Sequence, residues 1–133
     1  MAFQFSVAAR NAALDAIEST IGTSATLEIR SGAVPANCAA ADSGTVLATI
    51  TLPSNWLADA SGGAKALAGT WEDSAADNDG TAGHFRIKVG GTCHIQGTVT
   101  ATGGGGDMTV QNTSFATGQP FAVTAFEITA GGA

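Results

Sequence analysis

The chain has 133 residues, of which only 12% are charged, and a formal net charge of −6. A chain of this length predicts one domain, with a core large enough to fold without disulfides or metals. The five Lys and Arg residues form no cluster, which argues against direct binding to a nucleic-acid backbone or an anionic membrane, because both are recognised through clustered positive charge.

The N-terminal segment combines aromatic residues with an amphipathic helix. Phe3 and Phe5 alternate with other residues within residues 1–7, which we interpret as an N-terminal arm or a short edge strand. Residues 8–21 predict a surface helix that ends at Gly22, since apolar side chains recur there at helical spacing. These side chains are Ala13, Leu14, Ile17 and Ile21. The segment lacks the basic start of a secretory signal, and no apolar run reaches the length of a transmembrane helix.

Short alternating runs after the helix predict β-strands. Residues 25–30 and 45–52 each place their apolar side chains on one face, as half-buried strands do. Residues 31–44 between them are rich in small and turn-forming residues, so they predict a loop. Residues 54–63 predict a turn, and residues 65–71 predict a further short strand.

The clearest pattern is a β-hairpin in the middle of the chain, where two alternating runs flank a pair of glycines. Pairing Ile87 with Ile95 and Phe85 with Gly97 brings the apolar faces of both strands together. This register predicts a three-residue loop at residues 90–92, with a glycine at the position of positive φ. The opposite face carries two histidines that we interpret as surface residues, His84 and His94.

The C-terminal third contains further strands separated by glycine-rich turns. The four glycines of residues 103–106 predict a flexible turn, or a place where another backbone comes close. Within residues 120–130, the apolar side chains share one face of the strand before Thr124 and Ala125 and the other face after them. This change of face indicates either a β-bulge or a strand that leaves one sheet and joins another. With about seven to eight strands and one helix, the chain predicts an all-β fold over residues 1–133, an antiparallel β-sandwich or a jelly-roll-like barrel.

No residue pattern indicates an enzyme. Residues 77–80 resemble a calcium loop only faintly, because the ligand spacing of an EF-hand is missing, and we interpret them as a solvated turn. Glu72 and Asp73 are adjacent carboxylates that point to opposite faces of a strand, so they do not form a catalytic pair. Ser, His and Asp residues occur, but nothing places them as a triad. We therefore predict no catalytic, cofactor-binding or metal-binding residue.

The two cysteines leave two alternatives open. Cys93 falls on the apolar face of the predicted hairpin, so we interpret it as a buried free thiol that behaves as a small hydrophobic residue. The alternatives are a disulfide between Cys38 and Cys93 and a metal-binding or nucleophilic role. The disulfide is not the first interpretation, because two cysteines far apart in sequence do not by themselves define a disulfide framework.

Four aromatic residues are candidates for contact with a partner protein: Phe3, Phe5, Trp56 and Trp71. The two phenylalanines lie in the predicted arm. The two tryptophans fit a core position or an interface anchor, since tryptophan is enriched at interface hot spots. If a tryptophan is instead an exposed stacking platform, the chain is a carbohydrate-binding or other ligand-binding β-sandwich module.

Three stretches of the chain carry a resemblance to a known group of proteins. They begin RNAALDAIEST, GTAGHFRIKVGG and FEITAGGA, and together they extend from Arg10 to the C-terminus. The stretches look like a group of small virion structural proteins of tailed bacteriophages. This resemblance implies a small β-rich protein that is present in many copies on a particle, and it carries over no catalytic or binding residue.

From this resemblance we predict a capsid decoration or cement protein, located on the capsid surface of the virion, that stabilises the shell through protein–protein contacts. Its expected partners are the major capsid protein, copies of itself in a symmetric assembly, or both. A component of the tail tube, fibre or collar is the alternative. We expect no enzyme activity, no cofactor, no direct contact with nucleic acid and no membrane association.

Overall fold

The computed structural model describes residues 3–132, which form one α-helix and ten β-strands. The chain is therefore β-rich with one N-terminal helix, as predicted. Met1 and Ala2 of the predicted arm lie outside the described residues, and Phe3–Ser6 precede the helix without regular secondary structure. The elements are α1 (Val7–Ile21), β1 (Thr26–Ser31), β2 (Val46–Thr51), β3 (Ala64–Ala66), β4 (Trp71–Asp73), β5 (Gly80–Val89), β6 (Thr92–Ala101), β7 (Met108–Val110), β8 (Ser114–Phe115), β9 (Phe121–Val123) and β10 (Ala125–Thr129).

Eight of these strands form one mixed sheet. Its order is β2–β1–β5–β6–β7–β10–β3, and β8 pairs with β5 beside this path. β4 and β9 form a separate two-stranded sheet. The prediction of purely antiparallel pairing is wrong for one pair, since β6 and β7 run parallel.

The parallel pair is possible because its connection is unusually compact. Parallel neighbours ordinarily need a crossover of about a dozen residues, whereas the pairing here covers only three positions, so the chain has little distance to return. Gly104 and Gly106 pack against Thr100, and a Cβ atom built on Gly104 would lie 2.7 Å from the Thr100 hydroxyl oxygen. The glycine run is thus a place where two stretches of backbone come close, one of the two predicted alternatives.

The central hairpin has the predicted register over most of its length. Ile87 pairs with Ile95, and Phe85 pairs with Gly97. A Cβ atom on Gly97 would lie 2.9 Å from the Phe85 ring, so this glycine leaves room for the phenyl group.

The predicted three-residue loop of this hairpin is wrong. Val89 pairs with Thr92 across a two-residue turn, in which Gly90 and Gly91 have φ values of 58° and 85°. Turns of this length between antiparallel strands favour positive φ at both positions, which glycine adopts without strain. The register shift that reconciles this turn with the rest of the hairpin is a β-bulge at His94.

The last predicted strand is two strands that belong to different sheets. β9 pairs with β4 in the small sheet, and β10 pairs with β7 and β3 in the large sheet. The parity switch near Thr124 therefore marks a change of sheet, which was the second predicted alternative. The predicted strand at residues 65–71 divides in the same way, into β3 and β4.

The core is a single cluster that extends through both sheets. Trp71 of β4 packs between Trp56 and Phe126, with ring-centroid distances of 6.2 Å and 5.6 Å. Phe85 continues this row of rings by an edge contact with Phe126 at 5.5 Å.

Helix α1 begins at the Ser6 cap, whose hydroxyl oxygen accepts a hydrogen bond from the Ala9 N–H. Of the four apolar residues predicted to share its inner face, Leu14 and Ile21 are buried, whereas Ala13 and Ile17 are exposed. The reason is that polar contacts hold the helix beside β3.

The central polar contact is Lys65, which is only 1% exposed. Its ammonium lies 2.6 Å from Asp15 and 2.9 Å from Glu18 of the helix. Burial acts to lower the pKa of Lys65, but hydrogen bonds and charge interactions with the two carboxylates outweigh it and raise that pKa above 10.5.

Candidate interaction surface

The structure places both predicted tryptophan contacts inside the core. Trp56 is 0% exposed and Trp71 is 1% exposed. Each indole N–H also has an internal acceptor, the Gly22 carbonyl for Trp56 and the Ala68 carbonyl for Trp71. Because their rings are buried and their N–H groups are hydrogen-bonded within the chain, neither tryptophan lies on its surface. This corrects their assignment as interface residues.

The two predicted phenylalanine contacts do lie on the surface. Phe3 is 64% exposed and Phe5 is 50% exposed, and their rings form an edge contact at 5.4 Å. The Phe5 N–H donates to the Gly132 carbonyl oxygen over 2.7 Å. The arm is therefore attached to the C-terminal segment, and both phenyl groups remain outside the core.

Exposed apolar side chains concentrate at this end of the chain. Among residues 3–132, the large hydrophobic side chains that are exposed are Phe3, Phe5, Val7 and Ile17. We call the first three, which are close in sequence and precede or open the helix, the N-terminal apolar surface. Exposed apolar groups that lie together, as the rings of Phe3 and Phe5 do, are typical of protein contact sites.

The loop of residues 32–45 covers the polar face of the hairpin. Arg86 and Lys88 are consequently buried, although their alternation indicated a half-buried strand. Asp42 of this loop lies 2.8 Å from an Arg86 guanidinium nitrogen and 2.6 Å from the Lys88 ammonium. Arg30 of β1 also contacts this carboxylate, at 3.4 Å.

His84 is buried beneath the same loop, so its assignment as a surface residue is wrong. Its Nδ1 atom lies 3.0 Å from the Gly32 carbonyl oxygen, while Nε2 is buried and has no hydrogen-bond partner among the described residues. The loop passes over this position, which strand alternation cannot reveal. His94 is exposed, as predicted.

Cys38 and Cys93 form a disulfide, with their Cα atoms 5.1 Å apart. The interpretation of Cys93 as a free thiol is therefore wrong, and the disulfide alternative is correct. The physical reason is the bulge at His94, which places Cys93 opposite Lys88 and so on the face that the loop covers. Strict alternation had placed Cys93 on the apolar face.

The outer edge of β2 is covered by the end of β4 and the acidic segment that follows it. The Thr49 N–H donates to the Asp73 carboxylate at 3.0 Å, and the Asp77 N–H donates to the Leu47 carbonyl at 2.8 Å. A strand edge whose groups are already bonded does not readily add another strand. This edge is therefore not the favoured place for assembly.

The charge exposed to solvent is almost entirely acidic. Four of the five basic residues are buried, and the fifth, Arg10, is half-buried with its Nε atom inaccessible to solvent. Six acidic residues are exposed and form no ion pair within the described part of the chain: Asp59, Glu72, Asp77, Asp79, Asp107 and Glu127. A partner that contacts this surface is favoured by basic residues of its own.

A groove of 560 Å³ lies between β4, β9 and the segment after β7. Its polar lining includes two carboxylates and three amide side chains, and its apolar lining includes one partly exposed phenyl ring. These residues are Glu72, Asp73, Gln111, Asn112, Gln119 and Phe121.

Comparison with known proteins identifies no relative of this chain. No family model, no curated protein and no solved structure matches the chain. Within residues 3–132 there is also no cluster of three or more residues suited to binding a metal ion. The helix of this part of the chain is too short and too polar to cross a membrane.

Proposed function

We propose that the chain is a structural protein of a tailed bacteriophage virion that binds the capsid surface as a decoration or cement protein. Its partners in this proposal are the major capsid protein, copies of itself in a symmetric assembly, or both. The observation that carries the proposal is the N-terminal apolar surface, where two phenyl rings project from a segment anchored to Gly132. Burial of exposed aromatic rings is a strong contribution to protein association.

The charge distribution supports a protein partner over nucleic acid. With four of the five basic residues buried and the fifth half-buried, the chain offers little positive charge to phosphates. Many equivalent contacts on a symmetric particle can stabilise a shell even when each contact is small. The proposed role needs no catalytic group and no cofactor.

We also propose a β-sandwich or jelly-roll-like arrangement for the strands. The support is the row of rings that joins Trp71 of the two-stranded sheet to Phe126 of the eight-stranded sheet. Packing of two sheets through their apolar faces is the defining feature of sandwiches.

The test is co-sedimentation of the purified chain with capsids stripped of minor proteins, with isolated tails in parallel. We expect saturable binding to capsids, and at least a tenfold loss of affinity when Phe3 and Phe5 are both changed to alanine. The matched control is Thr51→Ala, an exposed residue of β2, which lies at the opposite edge of the sheet from β3.

Each other outcome changes the proposal. Binding to tails alone supports the tail tube, fibre or collar alternative. Binding to neither sample overturns the virion role, and equal binding by the Phe3→Ala/Phe5→Ala variant overturns the contact surface. A ligand-binding module built on an exposed tryptophan platform is not favoured, because Trp56 and Trp71 are buried.

A further inference from the structure

We infer that the groove beside β4 and β9 is a binding site for a neutral oligosaccharide. Its volume of 560 Å³ lies within the range of about 300–1,000 Å³ that is typical of small-ligand sites. The groove does not involve Phe3 or Phe5, so this inference is independent of the proposed capsid contact.

The negative charge of the groove lining disfavours anionic ligands. Two carboxylates, Glu72 and Asp73, line the groove, and no Lys, Arg or His does. A phosphate, a sulfate or an acidic sugar would meet unbalanced negative charge there. The ligand is therefore neutral or positively charged.

The amide side chains distinguish between these two possibilities. The Asn112 carbonyl oxygen accepts from the Ser114 N–H at 2.9 Å, and the Gln119 carbonyl oxygen accepts from the Ala116 N–H at 3.3 Å. Each oxygen is partly engaged by this bond, and each side chain presents its NH₂ group as a hydrogen-bond donor. The charged groups of a basic peptide are donors only, so they can pair with the carboxylates but not with the NH₂ groups of these amides.

Hydroxyl groups match this mixed lining. A sugar hydroxyl can accept from the amide NH₂ of Asn112 or Gln119 and donate to the carboxylate of Glu72 in the same complex. Glu72 makes no hydrogen bond to other described residues through its side chain, so its acceptors are open to a ligand. Asp73 is less available, because its two oxygens already accept from the Thr49 and Ala75 N–H groups.

The apolar part of the groove suits the C–H face of a sugar ring. Phe121 is partly exposed, and its ring packs against that of Phe115 at a centroid distance of 4.6 Å. The bonds from Ser114 and Ala116 also hold two amides in place before a ligand binds. Such preorganisation lowers the entropy cost of binding.

The test uses an array of immobilised neutral and sialylated glycans, followed by NMR titration of the chain with any neutral glycan that binds. We expect binding to at least one neutral glycan, with the largest shifts at the side-chain NH₂ resonances of Asn112 and Gln119. Changing Glu72 to Gln or Gln111 to Ala should weaken binding at least fivefold. Both side chains are exposed and make no hydrogen bond to other described residues, so the fold should tolerate these changes. Phe3→Ala, an exposed ring outside the groove, is the control and should leave binding unchanged.

Three results would overturn the inference. One is the absence of binding to any neutral glycan on the array. Another is a set of shifts that lies outside the groove or is unaffected by the Glu72→Gln and Gln111→Ala variants. The third is displacement of the glycan by trilysine together with tighter binding of trilysine itself, which would make the groove a site for basic peptides. Loss of capsid binding in the Phe3→Ala/Phe5→Ala variant bears on the proposed virion role and not on this groove.

Discussion

Asp42 is the residue through which the loop of residues 32–45 stabilises three buried cations. Its carboxylate contacts Arg86, Lys88 and Arg30, and the loop adds the Asn37 carbonyl, which accepts from Arg86 at 3.0 Å. Asp42 itself is at the rim, with 35% of its side chain exposed. The burial of this polar face thus depends heavily on one partly exposed carboxylate.

We expect Asp42→Asn to lower the free energy of unfolding by about 2 kcal/mol at neutral pH. Removing one partner of a buried ion pair costs roughly 3–5 kcal/mol, and solvent screening at the partly exposed carboxylate reduces this. Urea unfolding monitored by tryptophan fluorescence measures the change. Asp59→Asn, at an exposed carboxylate with no ion pair among the described residues, is the control, and an equal loss in the two variants would contradict the assignment.

The pH dependence of this difference follows from the pKa of Asp42. The hydrogen bond from Lys88 holds that pKa below 3.8 against the opposing effect of burial, and Arg86 and Arg30 assist. Because the folded pKa is the lower one, the carboxylate stabilises the fold above pH 3.8, and the contribution is lost as the pH falls through the folded pKa. The difference in free energy of unfolding between the unmodified chain and the Asp42→Asn variant should therefore become smaller in acid. A difference that becomes larger in acid refutes this mechanism.

At the scale of elements, the connection between β6 and β7 depends on the absence of side chains. Gly104 lies against Thr100 and Ala101, and Gly106 donates its N–H to the Thr100 hydroxyl at 3.0 Å. The compact turn lets β7 pair in parallel with β6 and also in antiparallel with β10. The middle of the large sheet is therefore joined through this turn.

Replacing Gly104 with alanine should lower the free energy of unfolding by about 1–3 kcal/mol, the usual cost of overpacking. The added methyl group would lie 2.7 Å from Thr100 and 3.0 Å from the Ala101 carbonyl oxygen, so one of these segments must shift. Gly131→Ala is the matched control, because a Cβ atom there meets nothing within 4 Å and the backbone has no positive φ. Chemical denaturation of both variants measures their free energies of unfolding. Equal values would contradict the prediction and would mean that the turn has room for a methyl group at residue 104.

Helix α1 shows how far a sequence pattern defines an element. Apolar spacing predicted its position to within one residue, since helical periodicity is a local property. The spacing did not reveal that Asp15 and Glu18 face Lys65 of β3, because that contact depends on a strand about fifty residues away. The exposure of Ile17 has the same origin, because these polar contacts set the face that the helix turns toward β3.

At the scale of the whole molecule, the disulfide joins the covering loop to the central hairpin. Cys38 and Cys93 are separated by 55 residues, and the link holds the loop over the face that contains Arg86 and Lys88. The covalent bond and the ion pairs therefore support the same arrangement. Loss of either should loosen the loop before the apolar core opens.

We expect reduction of the disulfide to lower the free energy of unfolding by about 4 kcal/mol, the chain-entropy value for a loop of this length. Urea unfolding with and without a dithiol reductant measures the change, and the Cys38→Ala/Cys93→Ala variant should match the reduced chain. If reductant also destabilises that variant, the effect does not come from this bond. Unchanged stability on reduction would show that the ion pairs alone hold the loop.

The sequence by itself determined the β-rich class, the helix, and the pairing of Ile87 with Ile95, because the parity of side chains along a strand or helix is set by local backbone geometry. Only the tertiary structure decided which faces are buried. His84 and Arg86 lie under a loop, Trp56 and Trp71 lie in the core, and the bulge at His94 turns Cys93 toward its partner. Burial depends on what a distant segment covers, so a local pattern can predict a polar face but not whether that face meets solvent.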